Sequence, residues 1–264
     1  MIGVFDSGVG GLTVVREIFQ KMPEYQIVYF GDTARTPYGT KSKETIIKYA
    51  QEDAKFLLEK GAKIIVIACN TASAFASEVL RNELGVPIFE VITPTVKKAL
   101  RVTKNKKIGV IGTRATIESG IYEKLLKEWS NEIEIQVISQ ACPLLVPLVE
   151  ECWLDKPETK RIVKKYLQPL KNKQVDTLIL GCTHYPVLKD IIQRYIGRRV
   201  KLVNSAEEVV NELKNFLDNH HSLAQSLIKG SEHKFYVSDL TPQLSRIAEK
   251  LLGRAVKLEK VELG

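Results

Sequence analysis

Cysteine is scarce in this sequence, and the few thiols present lack the spacing of a metal or redox site. Four cysteines occur in 264 residues, none of them paired as Cys-x-x-Cys, and His184 lies only two residues from Cys182. A structural zinc site is therefore not expected. No signal peptide precedes the strand-like start of the chain, so we expect a cytoplasmic protein, where a disulfide framework is also not expected.

Nucleotide-binding motifs and long apolar runs are missing as well. The glycine cluster at residues 8–11 fits neither a GxGxxG pattern nor a phosphate-binding loop, since no Gly-Lys-Ser/Thr follows it. No run approaches the roughly 20 apolar residues of a membrane helix. The sequence thus predicts no cofactor and no membrane segment. Its 44% apolar and 27% charged residues are typical of a globular protein.

The charge balance does not single out a macromolecular partner. The sequence has 39 Lys and Arg against 31 Asp and Glu, a formal net charge of +8. The cations alternate with glutamates along predicted helices, and the densest clusters, at residues 104–107 and 171–173, lie where strands begin. We therefore expect attraction for small anions rather than binding to nucleic acid.

Two stretches, residues 64–71 and 177–184, repeat one pattern. Each is an apolar run of strand length that ends at a cysteine, Cys69 or Cys182, followed by small polar residues. Continuous apolar runs are typical of strands buried on both faces of a parallel sheet. Ligands of such sheets bind just past the carboxyl ends of the strands, where both thiols fall. The repeat predicts a site between two equivalent halves.

Strands and helices alternate through two cycles of similar spacing. Cys69 precedes the strand residue Ile88 by 19 positions, and Cys182 precedes Leu202 by 20. Such alternation predicts parallel sheets with right-handed crossovers. We expect an α/β protein of two similar, pseudo-symmetric, flavodoxin-like three-layer domains with mainly parallel sheets and the site in the cleft between them. The first domain would comprise residues 1–96 and 207–264, and the second residues 97–206.

Several helix starts are predicted from local signals. Ser42 is expected to cap a helix, and Ser205 with Glu208 has the pattern of a capping box. A last helix is expected from Thr241-Pro242 to Gly253. Residues 93–94, Thr-Pro, are expected to start a helix after a strand at residues 86–92, and Pro186 to start another.

Two thiols on opposite sides of a bound carbon acid can transfer protons. A reacting carbon about 3–3.5 Å from each sulfur keeps the thiols too far apart for a disulfide. A free thiol has a pKa of about 8.5, and lowering it to about 7 requires roughly 2 kcal/mol, which a helix N-terminus and polar neighbours can supply. Since Cys69 and Cys182 each precede a predicted helix, we expect this stabilisation at both.

Simpler interpretations apply to the individual residues. A lone cysteine at a strand end is usually a packing residue, and His184 is equally consistent with a hydrogen-bonded structural role. Cys142 and Cys152 lack the strand-end context and are interpreted as structural. Asp6 ends the first strand, so its carboxylate is expected to face the cleft.

Taken together, five motifs resemble the bacterial glutamate racemase family. They are Phe-Asp-Ser-Gly-Val-Gly-Gly (residues 5–11), Pro-Tyr-Gly (37–39), Ala-Cys-Asn-Thr (68–71), Val-Pro-Leu-Val-Glu (146–150) and Gly-Cys-Thr-His-Tyr-Pro (181–186). The resemblance implies cofactor-independent interconversion of L- and D-glutamate, supply of D-glutamate for peptidoglycan, and a homodimer.

The resemblance also implies roles for particular residues. Cys69 and Cys182 would be the acid/base pair, assisted by Asp6, His184 and Glu150. The substrate-binding residues would be Asp6, Ser7, Tyr38, Gly39, Asn70, Thr71, Thr113, Thr116, Thr183 and His184. One position departs from the family pattern, since Cys152 stands where a glycine is more usual, which bears on how Glu150 is placed.

Alternative functions remain open at this point. The nearest is an aspartate racemase or another cofactor-independent amino-acid racemase, because a difference of one methylene is worth only about 1–3 kcal/mol in a pocket. A non-enzymatic amino-acid-binding protein would keep the cleft and use the thiols for packing. A pyridoxal-phosphate racemase would need a Schiff-base lysine, and the sequence singles out none.

Overall fold

The fold consists of parallel strands connected by helices. A computed structural model describes residues 1–130 and 134–263. Residues 131–133, inside the predicted second domain, and Gly264, at the end of the first, lie outside the described residues. The strands are β1 (Ile2–Asp6), β2 (Ile27–Gly31), β3 (Ile64–Ile67), β4 (Ile88–Glu90), β5 (Lys107–Gly112), β6 (Gln136–Ala141), β7 (Thr177–Gly181), β8 (Lys201–Asn204), β9 (Lys234–Val237) and β10 (Glu259–Lys260).

The helices of the described residues connect and cover these strands. They are α1 (Leu12–Lys21), α2 (Lys43–Glu59), α3 (Asn70–Glu83), α4 (Ile92–Val102), α5 (Arg114–Glu118), α6 (Ile121–Glu128), α7 (Leu145–Glu150), α8 (Pro157–Asn172), α9 (Lys189–Ile196), α10 (Ser205–Asn219), α11 (His221–Ser226) and α12 (Pro242–Leu252). Short 3₁₀ turns occur at Tyr38–Thr40 and Tyr185–Leu188. None of the described helices is long and apolar enough to cross a membrane.

The two sheets share one topology. The first has the order β10-β9-β2-β1-β3-β4 and the second the order β6-β5-β7-β8. The pairs within both sheets are parallel. Within each half the chain order of the strands is second, first, third, fourth, as in flavodoxin-like sheets. The predicted pair of similar, mainly parallel α/β sheets is confirmed, and β3 is the counterpart of β7.

Burial on both faces explains the apolar strand sequences. Ile64 and Val66 of β3 belong to one apolar core, whereas Ile65 and Ile67 belong to a second core beneath α2 and α3. Alternate side chains of one strand thus enter different layers, so an unbroken apolar run is required. The first core continues across both sheets.

Helices α4 and α10 join the two halves. Helix α10 packs against α1 and α4, and α4 packs against β7 and β8 of the second sheet. The division of the chain into domains at residues 1–96 with 207–264 and residues 97–206 stays a prediction.

Two of the predicted helix starts are confirmed and others are wrong. Ser42 is an N-cap that accepts a backbone N–H bond, as predicted. The last helix starts at Pro242, as expected, and Thr241 is its N-cap. The capping box at Ser205 is wrong because Asn204 caps α10 and the Ser205 hydroxyl instead donates to the Leu180 carbonyl at 3.3 Å. This serine is fully buried, so its hydroxyl proton has to bond to an acceptor inside the protein rather than to water.

The start of α4 differs from the prediction for an electrostatic reason. The helix begins at Ile92 rather than at residues 93–94, and the preceding strand ends at Glu90. The buried Glu90 carboxylate accepts the backbone N–H groups of Ile92 and Thr93 at 2.6 and 2.9 Å. A carboxylate two residues before a helix therefore replaces the expected threonine cap.

The end of α7 explains the unusual position of Cys152. The Cys152 N–H donates to the Val149 carbonyl, and the Trp153 N–H donates to the Leu148 carbonyl, at 2.9 and 2.8 Å. These bonds form a Schellman motif, whose turning residue is usually glycine because its backbone is left-handed. Cys152 has φ of 56° and occupies this position. The backbone of Cys152 thus follows the path that glycine usually takes in this motif, although a residue with a Cβ is strained in the left-handed conformation.

We expect Cys152→Gly to raise the free energy of unfolding by about 0.5–1 kcal/mol, since glycine adopts the left-handed conformation without the steric cost of a Cβ. Urea unfolding of the two proteins measures this difference. Cys152→Ala is the matched control, because it removes the thiol and keeps the Cβ. Equal stability of the Gly and Ala variants would contradict the explanation.

Candidate active site

The candidate site lies where the strand order of both sheets reverses. In each sheet the first strand, β1 or β5, separates the second from the third, so connections leave in opposite directions. This reversal opens a crevice at the carboxyl ends of the strands. Cys69 follows β3 and Cys182 follows β7, the equivalent strands of the two halves.

Both thiols line one small cavity of about 30 Å³. The two cysteines are 6% and 5% exposed, respectively. This volume suits one or two water molecules. The lining residues are Ser7, Thr36, Pro37, Tyr38, Gly39, Cys69, Asn70, Thr71, Thr113, Val146, Cys182, Thr183 and His184.

Ten of the thirteen predicted site residues are therefore brought together at the cavity surface. The other three lie just behind it: Asp6, Thr116 and Glu150 each contact a lining residue. Thr36, Pro37 and Val146 line the cavity without having been predicted as site residues. Pro37 and Val146 belong to motifs that the sequence displays, whereas Thr36 carries no signal of its own.

Cys69 is held by the helix that follows it. It is the N-cap of α3, and its sulfur accepts the Ala72 N–H at 3.5 Å. Its thiol donates to the Ser7 hydroxyl, also at 3.5 Å. The expected helix N-terminus is therefore present at this thiol.

The expected lowering of the Cys69 pKa is nevertheless wrong. Burial and the neighbouring carboxylate of Asp6 raise its pKa to about 12, and this effect outweighs the bonds from Ser7 and Ala72. Burial disfavours a charged sulfur because the surroundings solvate it poorly. The raised pKa keeps the Cys69 thiol protonated at neutral pH.

Cys182 has a different environment. The residues after it form the 3₁₀ turn Tyr185–Leu188, and α9 starts only at Lys189. The predicted helix start at Pro186 is thus wrong, and no α-helix N-terminus adjoins this thiol. Instead, His184 Nδ1 lies 3.9 Å from the Cys182 sulfur.

His184 links Cys182 to Glu150. Its Nε2 lies 3.2 Å from Glu150 Oε1. Burial lowers the pKa of His184, but the bonds to Cys182 and Glu150 prevail and raise it to about 10. The ring is then an imidazolium at neutral pH, and it donates to Glu150 and to the sulfur. A cation beside a sulfur atom stabilises negative charge on it. The contact with His184 also means that Glu150 reaches the site, although the left-handed turn that follows it contains Cys152 instead of glycine.

The turn after β1 brings Asp6 against the second half. The Gly8 N–H donates to Asp6 Oδ2 at 3.1 Å, and the Thr183 hydroxyl donates to Asp6 Oδ1 at 3.4 Å. Burial raises the pKa of Asp6, against the opposing effect of positive charge on His184. A Cβ on Gly10 would lie 2.3 Å from Thr183 Oγ1, so glycine is required for this approach.

Three threonine hydroxyls also join the halves at the cavity. Thr71, at the start of α3, lies 2.9 Å from Thr113 and 3.1 Å from Thr116 between hydroxyl oxygens, and Thr113 lies 2.8 Å from Thr116. Each hydroxyl can donate one bond and accept two. The three protons can satisfy the three contacts of the cluster, so binding of an anion would require one hydroxyl to turn its proton from a neighbouring threonine to the anion.

Tyr38 and Gly39 form the wall of the cavity next to this cluster. The Tyr38 hydroxyl donates toward Asp32 and Asp53, at 2.5 and 2.9 Å, and is directed into the protein. Tyr38 is fully buried and lines the cavity. A Cβ on Gly39 would lie 2.9 Å from Thr113 Cβ, so the loop touches the second half directly.

The remaining cysteines lie outside the cavity. Cys142 is buried, with its sulfur 3.5 Å from the Gln140 carbonyl, and Cys152 is exposed. Among the residues that the structure describes, no group of three or more His, Cys, Asp or Glu side chains is arranged to hold a metal ion. The site thus offers two buried thiols, from different halves, together with hydroxyl, amide and imidazolium donors.

Comparisons with known proteins agree on one family. Residues 2–213 match the family described as Asp/Glu/hydantoin racemase. The chain is 48% identical over 261 residues to a glutamate racemase from Aquifex pyrophilus, covering 99% of this chain and 97% of the relative.

Solved structures give the same result. A glutamate racemase isoform from Bacillus anthracis matches with a TM-score of 0.93 and 41% identity, covering 100% of this chain and 97% of the other. A glutamate racemase from Francisella tularensis, in complex with D-glutamate, matches with a TM-score of 0.89 and 37% identity, covering 99% and 97% of the two chains.

We expect Glu150→Gln to lower the pKa of His184, since it removes the negative charge next to the ring. A group whose pKa is higher in the folded than in the unfolded chain stabilises the folded protein. This stabilisation is fully present below the pKa of the unfolded chain and is lost as the pH rises through the pKa of the folded chain. For His184 these values are 6.5 and about 10. The variant should therefore be less stable than the parent below pH 6.5, with the difference shrinking toward pH 10.

Urea unfolding across this pH range measures the effect. Glu151→Gln is the matched control, because it removes the same charge from the exposed neighbouring residue. A stability difference for Glu150→Gln that does not change with pH would contradict the assignment of the charge pair.

Proposed function

The chain belongs to the Asp/Glu/hydantoin racemase family and is an isomerase of its glutamate racemase group, and from this premise we propose that it interconverts L- and D-glutamate by proton transfer between two thiols. The family resemblance of the five sequence motifs is thereby confirmed. The observation that supports the mechanism is the meeting of Cys69 and Cys182, from equivalent strand ends, at one small cavity.

The reaction follows from the placement of the thiols on different halves. One cysteine, as a thiolate, removes the α-proton: its S–H bond forms while the electron pair of the broken C–H bond stays on the substrate. The other cysteine donates its proton to the opposite face of the α-carbon and becomes the thiolate. The configuration inverts, the protein ends with the opposite cysteine charged, and no redox step occurs.

The two thiols depend on different neighbours to become charged. His184 supplies a cation at Cys182, held in place by Glu150. Cys69 has no such partner among the described residues, and its pKa of about 12 must fall before it can act as a base. The ammonium group of glutamate, bound near Asp6, would provide the missing positive charge. Each pKa unit corresponds to about 1.4 kcal/mol of such stabilisation.

The polar groups of the cavity suit the two carboxylates of glutamate. Asn70 and Thr71 lie at the N-terminus of α3, where backbone N–H groups and the helix dipole favour anions. The hydroxyls of Thr113 and Thr116 extend this surface from the second half. Ser7, Thr183 and the loop at Tyr38 and Gly39 complete the enclosure, which must widen to admit a molecule larger than water.

Two further expectations from the resemblance stay predictions: supply of D-glutamate for peptidoglycan and formation of a homodimer. The polar cavity between the halves supports a small-molecule substrate.

Racemisation of L-glutamate and L-aspartate by purified protein, after dialysis against a chelator and treatment with a carbonyl reagent, tests the proposed function. We expect turnover of glutamate to continue, with aspartate turned over at least about tenfold more slowly. Activity that is lost and then restored by a metal or pyridoxal phosphate would contradict the thiol mechanism. Absence of α-hydrogen exchange with deuterium oxide would instead indicate a binding protein.

We expect Cys69→Ser and Cys182→Ser each to abolish net racemisation, because a serine hydroxyl is too weak an acid to serve as the base. By the resemblance, Cys69 deprotonates D-glutamate and Cys182 deprotonates L-glutamate. The remaining thiol should then exchange only the α-hydrogen of L-glutamate in Cys69→Ser, and only that of D-glutamate in Cys182→Ser. Proton NMR in deuterium oxide follows this exchange.

Cys142→Ser is the control for these variants. It makes the same change at a buried thiol outside the cavity and should continue to racemise glutamate. Near-normal racemisation by either site variant would show that the two-thiol assignment is wrong.

A further inference from the structure

The Asn70 side chain at the cavity is held by a buried network that the sequence did not indicate. The Tyr122 hydroxyl on α6 donates to Asn70 Oδ1 at 2.6 Å, and Asn70 Nδ2 donates to the Ser205 hydroxyl at 3.4 Å. Asn70, Tyr122 and Ser205 are 2%, 2% and 0% exposed. Three helices, α3, α6 and α10, therefore meet at one amide group.

The proton positions in this network fix which way the amide faces. The single hydroxyl proton of Ser205 is donated to the Leu180 carbonyl at 3.3 Å. Ser205 can then only accept a bond from Asn70, so the amide nitrogen must face Ser205 and the amide oxygen must face Tyr122. A flipped amide would place two acceptors opposite each other at Ser205, which is costly in a buried site.

This orientation leaves one N–H group of the amide outside the network with Tyr122 and Ser205. An amide nitrogen carries two hydrogens, and Ser205 receives one of them. Asn70 also lines the cavity, as do its sequence neighbours Cys69 and Thr71. Its oxygen, which would repel a carboxylate, is occupied by Tyr122.

We propose that Tyr122 and Ser205 are positioning residues that hold the Asn70 amide with its N–H group toward a substrate carboxylate. This inference rests on the proposed function, since it takes the bound anion to be a carboxylate of glutamate. The Tyr122 ring also packs near Gly181, the last residue of β7, where a Cβ would lie 3.2 Å from the ring. Tyr122→Phe keeps this contact and removes only the hydroxyl.

Steady-state kinetics of Tyr122→Phe with both glutamate enantiomers test the proposal. We expect KM to rise about five- to tenfold while kcat stays within about twofold, because the lost interaction orients a binding group rather than the reacting atoms. Tyr185→Phe is the matched control. Its hydroxyl is equally buried and donates to the Cys142 carbonyl at 3.0 Å, so its loss should lower stability and leave KM within about twofold.

A double-mutant cycle separates positioning from general destabilisation. In an Asn70→Ala background, Tyr122→Phe should cause no further rise in KM. Ser205→Ala provides an independent measurement if Tyr122→Phe does not fold, and it too should raise KM with little change in kcat. Additive effects in the cycle, or KM values that match those of Tyr185→Phe, would overturn the proposal. Absence of glutamate racemisation by the parent protein would instead refute the proposed function.

Discussion

The reversal of strand order in each sheet is the constraint on which the rest of the structure depends. Strand β1 pairs with β3, and β5 pairs with β7, in parallel, so the carboxyl ends of each pair lie side by side. The connections that follow the two strands of a pair leave in opposite directions, so neither covers the space between those ends. Polar side chains at those ends have space to project, and the two crevices face each other. The chain repeats this arrangement, so one thiol follows the third strand of each half. The meeting of two thiols from different halves at one cavity is thus a consequence of topology.

Burial then determines how these groups behave. Asp6, Cys69, Cys182 and His184 are all at most 6% exposed, so their charges depend on contacts within the protein. His184 has two acidic partners and is an imidazolium, whereas Cys69 faces the carboxylate of Asp6 and keeps its proton. Equivalent positions in the repeat therefore have unequal electrostatics. Cys182 has the His184 cation beside it, whereas Cys69 would depend, in the proposed mechanism, on the ammonium group of the substrate.

The sequence was informative where structure is decided locally. Unbroken apolar runs identified the central strands, and the matching spacing around Cys69 and Cys182 identified the repeat. Several of the errors came from features that are distant in the chain or set by burial. Ser205 has the local pattern of a helix cap, but its proton goes to Leu180, 25 residues away in the chain. The helix dipole at Cys69 was expected to stabilise its thiolate, but burial, which no short motif reports, prevails. The contact of Tyr122 with Asn70 spans 52 residues and has no local signal.

The unequal environments of the two thiols need not favour one enantiomer. L- and D-glutamate have equal free energies in solution, so kcat/KM for the two directions must be equal whatever groups assist each thiol. If His184 and Asp6 assist as proposed, loss of either residue would lower kcat/KM equally in both directions, although each lies nearer one thiol. Net rates alone cannot assign a residue to one face of the substrate. Exchange of the α-hydrogen, which reports a single proton transfer, distinguishes the two sides that the repeat creates.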